Sequence, residues 1–116
     1  MNINCLLLTK DIVLEHTLKN YISKTPFFNV INEKDIDEKS SIDIIFMEYC
    51  LERYYVSKYL SRLYDKPCII ISNKKAPQNN LLRYPNFTTL PKKFTHEMLI
   101  LALGNIIDNS PYKNTH

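Results

Sequence analysis

Glycine is almost missing from this chain: Gly104 is the only one among 116 residues. Loops that cradle phosphate with successive backbone N–H groups need clustered glycines, as does the fingerprint turn that binds dinucleotides. Both are excluded. Tryptophan is absent, and cysteine is limited to Cys5, Cys50 and Cys68. The odd count fits a reducing compartment better than a disulfide framework. No CxxC pair and no metal-type Cys/His spacing occurs. A nucleophilic cysteine is disfavoured, because no histidine stands in a recognisable partner context. Cys5 and Cys68 lie in apolar runs, where a free thiol serves as a small hydrophobe. A dominant charge is also lacking. The net charge is +3, and the basic residues are dispersed, which argues against a nucleic-acid surface. No apolar run approaches the roughly 20 residues of a membrane span. The opening MNINCLLLTKD has too short an apolar run for a secretory signal. The expected location is cytoplasmic.

What is present is ordinary for one globular domain. The hydrophobic fraction is 45% and the charged fraction 23%, within the usual range, and a chain of this length can bury a core without disulfides or metal. Residues 3–8 read as a first strand. Asp11 can cap a helix whose apolar positions Leu14, Leu18, Tyr21 and Ile22 recur at helical spacing, and Thr25-Pro26 ends it. Residues 27–31 read as a second strand. Residues 32–41 are polar and charged, enough for a solvated connection or one helical turn. The third strand is expected over 42–47. A helix follows over 51–64, with Leu51, Tyr55, Tyr59 or Leu60, and Leu63 on one face. The fourth strand is 68–71, and 73–84 reads as a loop with at most a short helix. A fifth strand spans 87–90. Thr95 can cap a last helix, with Met98, Leu101, Ala102 and Ile106 on one face. The domain is expected over 1–108, with a polar tail over 109–116. Strands alternating with helices imply a parallel sheet covered on both faces.

The segment richest in information is IDIIFMEY, residues 42–49. Its unbroken apolar run suits a strand buried on both faces. Glu48 ends that run, at the carboxyl edge where open α/β sheets place their chemistry.

At these residues the chain resembles a family, the receiver domains of two-component response regulators. It is most similar to the bacterial class whose output is a LytTR-type DNA-binding domain. The opening INCLLLTKDIVLEHTLKNYISKTPFFNVI, the ungapped stretch 43–67 and the closing FTTLPKKFTHEMLILAL carry the likeness over nearly the whole chain. The resemblance implies a flavodoxin-like (CheY-like) α/β three-layer sandwich. Its five parallel strands run in the order 2-1-3-4-5, with the second and fourth helices reduced. It also implies a site at the strand ends. Two acidic residues that hold Mg²⁺ in the family correspond to Thr9 and Lys10, next to Asp11. The phosphoacceptor aspartate corresponds to Glu48. The hydroxyl residue ending the fourth strand is kept as Ser72, and the lysine after the fifth strand as Lys92. The aromatic switch residue is replaced by Thr89, the proline after the lysine by Lys93, and two loop positions by Glu52 and Val56.

These replacements remove the chemistry that the resemblance would bring. Transfer of a phosphoryl group to a carboxylate needs a cation bridging acceptor and phosphate oxygens, and Mg²⁺ wants hard oxygen ligands. Thr9 offers a neutral hydroxyl and Lys10 an ammonium. Glu48 is one methylene longer than aspartate, which misplaces its oxygens for in-line attack. The expectation is therefore no catalytic residue, no metal and no bound Mg²⁺. Glu48 is expected between the ammonium groups of Lys10 and Lys92. The resulting function is a stand-alone degenerate receiver that signals by contact with another signalling protein or with a second copy of itself, without nucleic acid or membrane. Two alternatives stand beside it. One is a divergent receiver still phosphorylated by a histidine kinase. The other is a permanently active form in which Glu48 imitates the phosphorylated state.

Plainer readings weigh against each residue. Ser72 can be a strand-end hydroxyl serving local backbone. Lys10 can point into solvent. His16 and His96 read as solvated. Tyr54, Tyr55, Tyr59 and Tyr64 lie at helical spacing, which favours half-buried packing over a recognition surface, although tyrosine suits interfaces.

Overall fold

A computed structural model describes residues 2–36, 41–63, 66–72 and 86–108. The readings of 37–40, 64–65, 73–85 and 109–116, including the loop, Tyr64 and the polar tail, lie outside the described residues. Five strands, β1 (Ile3–Leu8), β2 (Phe28–Asn32), β3 (Ile44–Glu48), β4 (Cys68–Ser72) and β5 (Phe87–Pro91), form one sheet in the order β2-β1-β3-β4-β5. All four pairings are parallel. This is the flavodoxin-like topology expected from the sequence. Its helices are α1 (Ile12–Ser23), α2 (Glu52–Leu63) and α3 (His96–Asp108).

The central strands are buried on both faces because side chains alternate between two cores. Cys5, Leu7, Ile44, Phe46, Ile69, Ile71 and Leu90 meet Leu14, Leu18 and Ile22 of α1 and Leu99, Ala102, Leu103 and Ile106 of α3. Leu6, Leu8, Ile45, Met47, Cys68 and Ile70 face the other way, onto Tyr55 of α2. Burial pushes the Cys5 thiol up to about 12 and the Cys68 thiol up as well, so both remain protonated core groups.

Several boundaries differ from the sequence reading. β2 starts at Phe28, because Phe27 takes a left-handed backbone with φ of 73° and leaves the sheet. Its carbonyl accepts a hydrogen bond from the Ile3 N–H at 2.6 Å, and its ring is 69% exposed. β3 starts at Ile44 and runs through Glu48; Asp43 instead turns its carboxylate to the Asn4 N–H at 2.8 Å. The single helical turn allowed for 32–41 is a 3-10 turn, Glu33–Asp35, after β2. α2 follows a 3-10 turn over Tyr49–Leu51 and leaves helical geometry at Tyr59.

In α3, Thr95 caps as expected, its hydroxyl accepting from the Met98 N–H at 3.1 Å. The inward stripe is Leu99, Ala102, Leu103 and Ile106. Leu101 was expected on that stripe, but it is 69% exposed. One residue rotates a helix by about 100°, which carries Leu101 off the face that Ala102 buries.

Candidate functional site

The strand order sets what can meet at the carboxyl edge. β1 and β3 are neighbours, paired through Leu8 and Met47, so Thr9 and Glu48 emerge side by side. β5 stands two places from β3, roughly 9.6 Å away at normal strand spacing. Only a long side chain spans that gap, and Lys92, just after β5, has one. The Asp11 cap brings the start of α1 to the same spot: one carboxylate oxygen accepts from the Leu14 N–H at 3.1 Å.

Glu48 is 4% exposed, and both its oxygens are engaged. Oε1 accepts from the Thr9 hydroxyl, from the Lys10 N–H at 3.1 Å and from the Asp11 N–H at 3.3 Å. The Asp11 N–H is shared, donating also to the Thr9 hydroxyl oxygen at 3.0 Å. Oε2 lies 3.4 Å from the Lys92 ammonium and accepts from the Cys50 thiol at 3.7 Å. Lys92 also pairs with Asp11 at 3.0 Å, so one ammonium joins two carboxylates. The extra methylene of glutamate carries the carboxylate past the strand end to the backbone donors at the start of α1.

The electrostatics follow from this donor set. Burial alone would raise the Glu48 pKa. The Thr9 hydroxyl, the Lys10 N–H and the Lys92 charge outweigh it, and the group is held below its ordinary value. Asp11 is held low by Lys92 first and by the Leu14 N–H second. Lys92 is raised, chiefly through its bond to Asp11. Burial and the neighbouring Glu48 charge push the Cys50 thiol up, which makes it a hydrogen-bond donor here and a poor nucleophile.

Thr9, Asp11, Glu48 and Lys92 thus come together. The expectation for Lys10 needs correction. Its backbone serves Glu48, but its ammonium turns away, lying 3.9 Å from Glu33 and over the Tyr54 ring. Glu33 draws it there as the centre of a second polar cluster. It also accepts from Lys58 at 2.9 Å and from the Tyr59 hydroxyl at 2.6 Å. Residue 33 had read as part of a solvated connection. Ser72 ends β4, one position beyond Ile71, the register partner of Glu48, and it is half-buried. Thr89 is exposed on β5. His96 is not simply solvated: its ring packs on Tyr21 at 5.2 Å, and its Nε2 meets the Thr25 hydroxyl at 3.4 Å. His16 is exposed, as read. Sequence reasoning missed the Cys50 thiol, whose only signal was its place two residues after Glu48. It also missed the Lys92–Asp11 pair.

The Mg²⁺ implied by the resemblance does not fit these residues. At the two positions that the resemblance would assign to its carboxylate ligands stand Thr9 and Lys10. Glu48 already spends its oxygens on protein donors, and the Lys92 ammonium lies against both the Glu48 and the Asp11 carboxylates. Among the described residues, no three His, Cys, Asp or Glu side chains gather as metal ligands would. None of their helices is long and apolar enough to cross a membrane.

No family profile and no curated protein sequence matches the chain. Solved structures do. A fusion protein carrying amino acids 181–211 of the yeast Spc42 trimeric coiled coil aligns with a TM-score of 0.78 at 13% identity, covering 100% of this chain and 83% of its own. A response regulator from Thermotoga maritima aligns with a TM-score of 0.68 at 16% identity, covering 93% of this chain and 99% of its own. At such identities the likeness establishes architecture: the chain has the flavodoxin-like fold that the Thermotoga response regulator shares.

Proposed function

We propose that the chain is a degenerate receiver that works in signal transduction through protein contact, without phosphoryl transfer. The observation that carries this reading is the saturated carboxylate of Glu48. Its oxygens accept from Thr9, Lys10, Asp11 and Cys50 and lie against Lys92. An acceptor carboxylate has to offer a free oxygen to phosphorus and another to a metal; this one offers neither. The receiver-like fold and the place of Glu48 at the end of β3 support the signalling context. A contact role has surface to work with, since Ile100, Leu101 and Ile107 leave apolar side chains exposed on α3. The partner is another signalling protein or a second copy. Sedimentation of the pure chain separates these two, a concentration-dependent dimer supporting the second.

The test of the main reading is amide NMR of the protein with Mg²⁺ and beryllofluoride or acetyl phosphate. The expected result is no Mg²⁺-dependent change at Glu48, Ser72 and Lys92. Specific Mg²⁺-dependent shifts there would restore the divergent phosphoacceptor and overturn this reading. The Glu48–Lys92 contact favours one refinement, in which the carboxylate engages the lysine as a phosphoryl group would and holds the domain permanently in one form. In that case Glu48→Ala moves resonances along β5 and the start of α3. A scaffold indifferent to Glu48 keeps them in place.

A further inference from the structure

We propose that Thr9, the backbone N–H groups of Lys10 and Asp11, and Lys92 form a carboxylate-binding site whose resident ligand is the protein's own Glu48. It rests on the reading that Glu48 is a fixed internal ligand and not a phosphoacceptor. The site differs from a bare helix start. Only two of its donors are backbone groups at the start of α1; a hydroxyl and an ammonium from separate elements converge on the same buried carboxylate. The carboxylate is 4% exposed, so these donors meet it in place of water.

Charge decides the ligand class. With Glu48 in place, two carboxylates, Glu48 and Asp11, face one ammonium, Lys92. Without Glu48, Asp11 and Lys92 neutralise each other, and the helix start adds a partial charge of about +0.5. That balance suits a single negative charge. A phosphate dianion would again set excess negative charge against Asp11. The Lys10 ammonium does not alter the sum, because it is turned to Glu33. The other close group, the Cys50 thiol, is neutral and donates. The site therefore takes small monocarboxylates, and in the native protein Glu48 keeps them out.

Glu48→Ala deletes the atoms of one acetate and keeps the Cβ. Titrating that variant with sodium acetate against sodium chloride at equal ionic strength, followed by amide NMR, is the test. Saturable shifts of the Lys10 and Asp11 amides are expected, absent in the native chain and weaker with inorganic phosphate at a pH where it is a dianion. A folded Glu48→Ala protein whose two amides ignore acetate would overturn the proposal, and so would equal shifts in the native protein. Should Glu48→Ala fail to fold, Glu48→Gln keeps the volume and removes the charge. Its Lys10 and Asp11 amide protons should move upfield and exchange faster with solvent, whereas unchanged shifts and exchange would refute the site. Acetate titration contains no Mg²⁺ or phosphoryl donor. A native protein that responds to Mg²⁺ and acetyl phosphate would refute the degenerate reading whatever acetate does.

Discussion

Thr9 carries more of the site than its size suggests, because its hydroxyl both donates to Glu48 and accepts from the Asp11 N–H. A hydrogen bond to a buried charged group contributes about 1.5–3 kcal/mol. Thr9→Val is isosteric and removes both roles. Urea unfolding should register a loss of about 2 kcal/mol, and a carboxyl titration by NMR should place Glu48 higher than in the native protein. An unchanged titration would mean that the backbone donors suffice. Tyr59→Phe removes the hydroxyl that Glu33 accepts at 2.6 Å and should cost about 1 kcal/mol in the same melt. At this scale the sequence was partly legible. Glu48 and Lys92 were readable because each stands at a strand end of a recognised layout. The direction of the Lys10 ammonium was not, because it depends on Glu33, which sits in a segment with no apolar pattern to place it.

Elements were easier to read than residues, since periodicity reports burial directly. The unbroken apolar runs of β1 and β3 and the Asp11 and Thr95 caps follow from local chemistry. What the pattern did not reveal was backbone geometry and helix phase: the outward turn of Leu101, the left-handed backbone of Phe27 and the non-helical backbone of α2 at Tyr59. The two faces of α3 can be compared by thermal or urea unfolding. Leu99 is fully buried, so Leu99→Ala should cost about 2–5 kcal/mol, whereas Leu101→Ala should stay within about 0.5 kcal/mol. Equal losses would contradict the assigned face. Gly104 lies inside α3, and an added Cβ would meet nothing within 4 Å. Gly104→Ala should therefore stabilise the protein by about 0.5–1 kcal/mol, through helix propensity and a less mobile unfolded chain.

For the whole molecule, the displaced carboxylates and ammonium groups define how stability varies with pH. Glu48, Glu33 and Asp11 titrate below their ordinary values of 4.5, 4.5 and 3.8. For a depressed acid, the contribution is complete above the unfolded value and is lost as pH falls through the folded one. Lys92 and Lys58 are raised above 10.5. Their contribution is complete below that value and is lost as pH rises through the folded one. Denaturant melts across pH should accordingly give a plateau bounded by an acid limb beginning below about 4.5 and an alkaline limb that begins above about 9, where the raised Cys5, Cys50 and Cys68 thiols enter, and steepens above about 10.5. In Thr9→Val the acid limb should be shallower, because the Glu48 pKa then differs less between the folded and unfolded chain, while the alkaline limb stays where it was. A native profile with no fall below 4.5 would show that the carboxylate clusters add little to folding.

The Lys92 bridge also bears on the order in which the fold is acquired. Asp11, Glu48 and Lys92 come from the first, middle and last parts of the chain, yet one ammonium joins all three. Contacts between distant segments require loop closure before they return any energy. The bridge can therefore close only after β5 has docked beside β4, the last strand to be added along the chain. An interaction absent from the transition state slows unfolding without speeding folding. Lys92→Met should leave the refolding rate nearly unchanged in stopped-flow experiments and accelerate unfolding, so that Lys92 acts as a clasp on the lifetime of the native state.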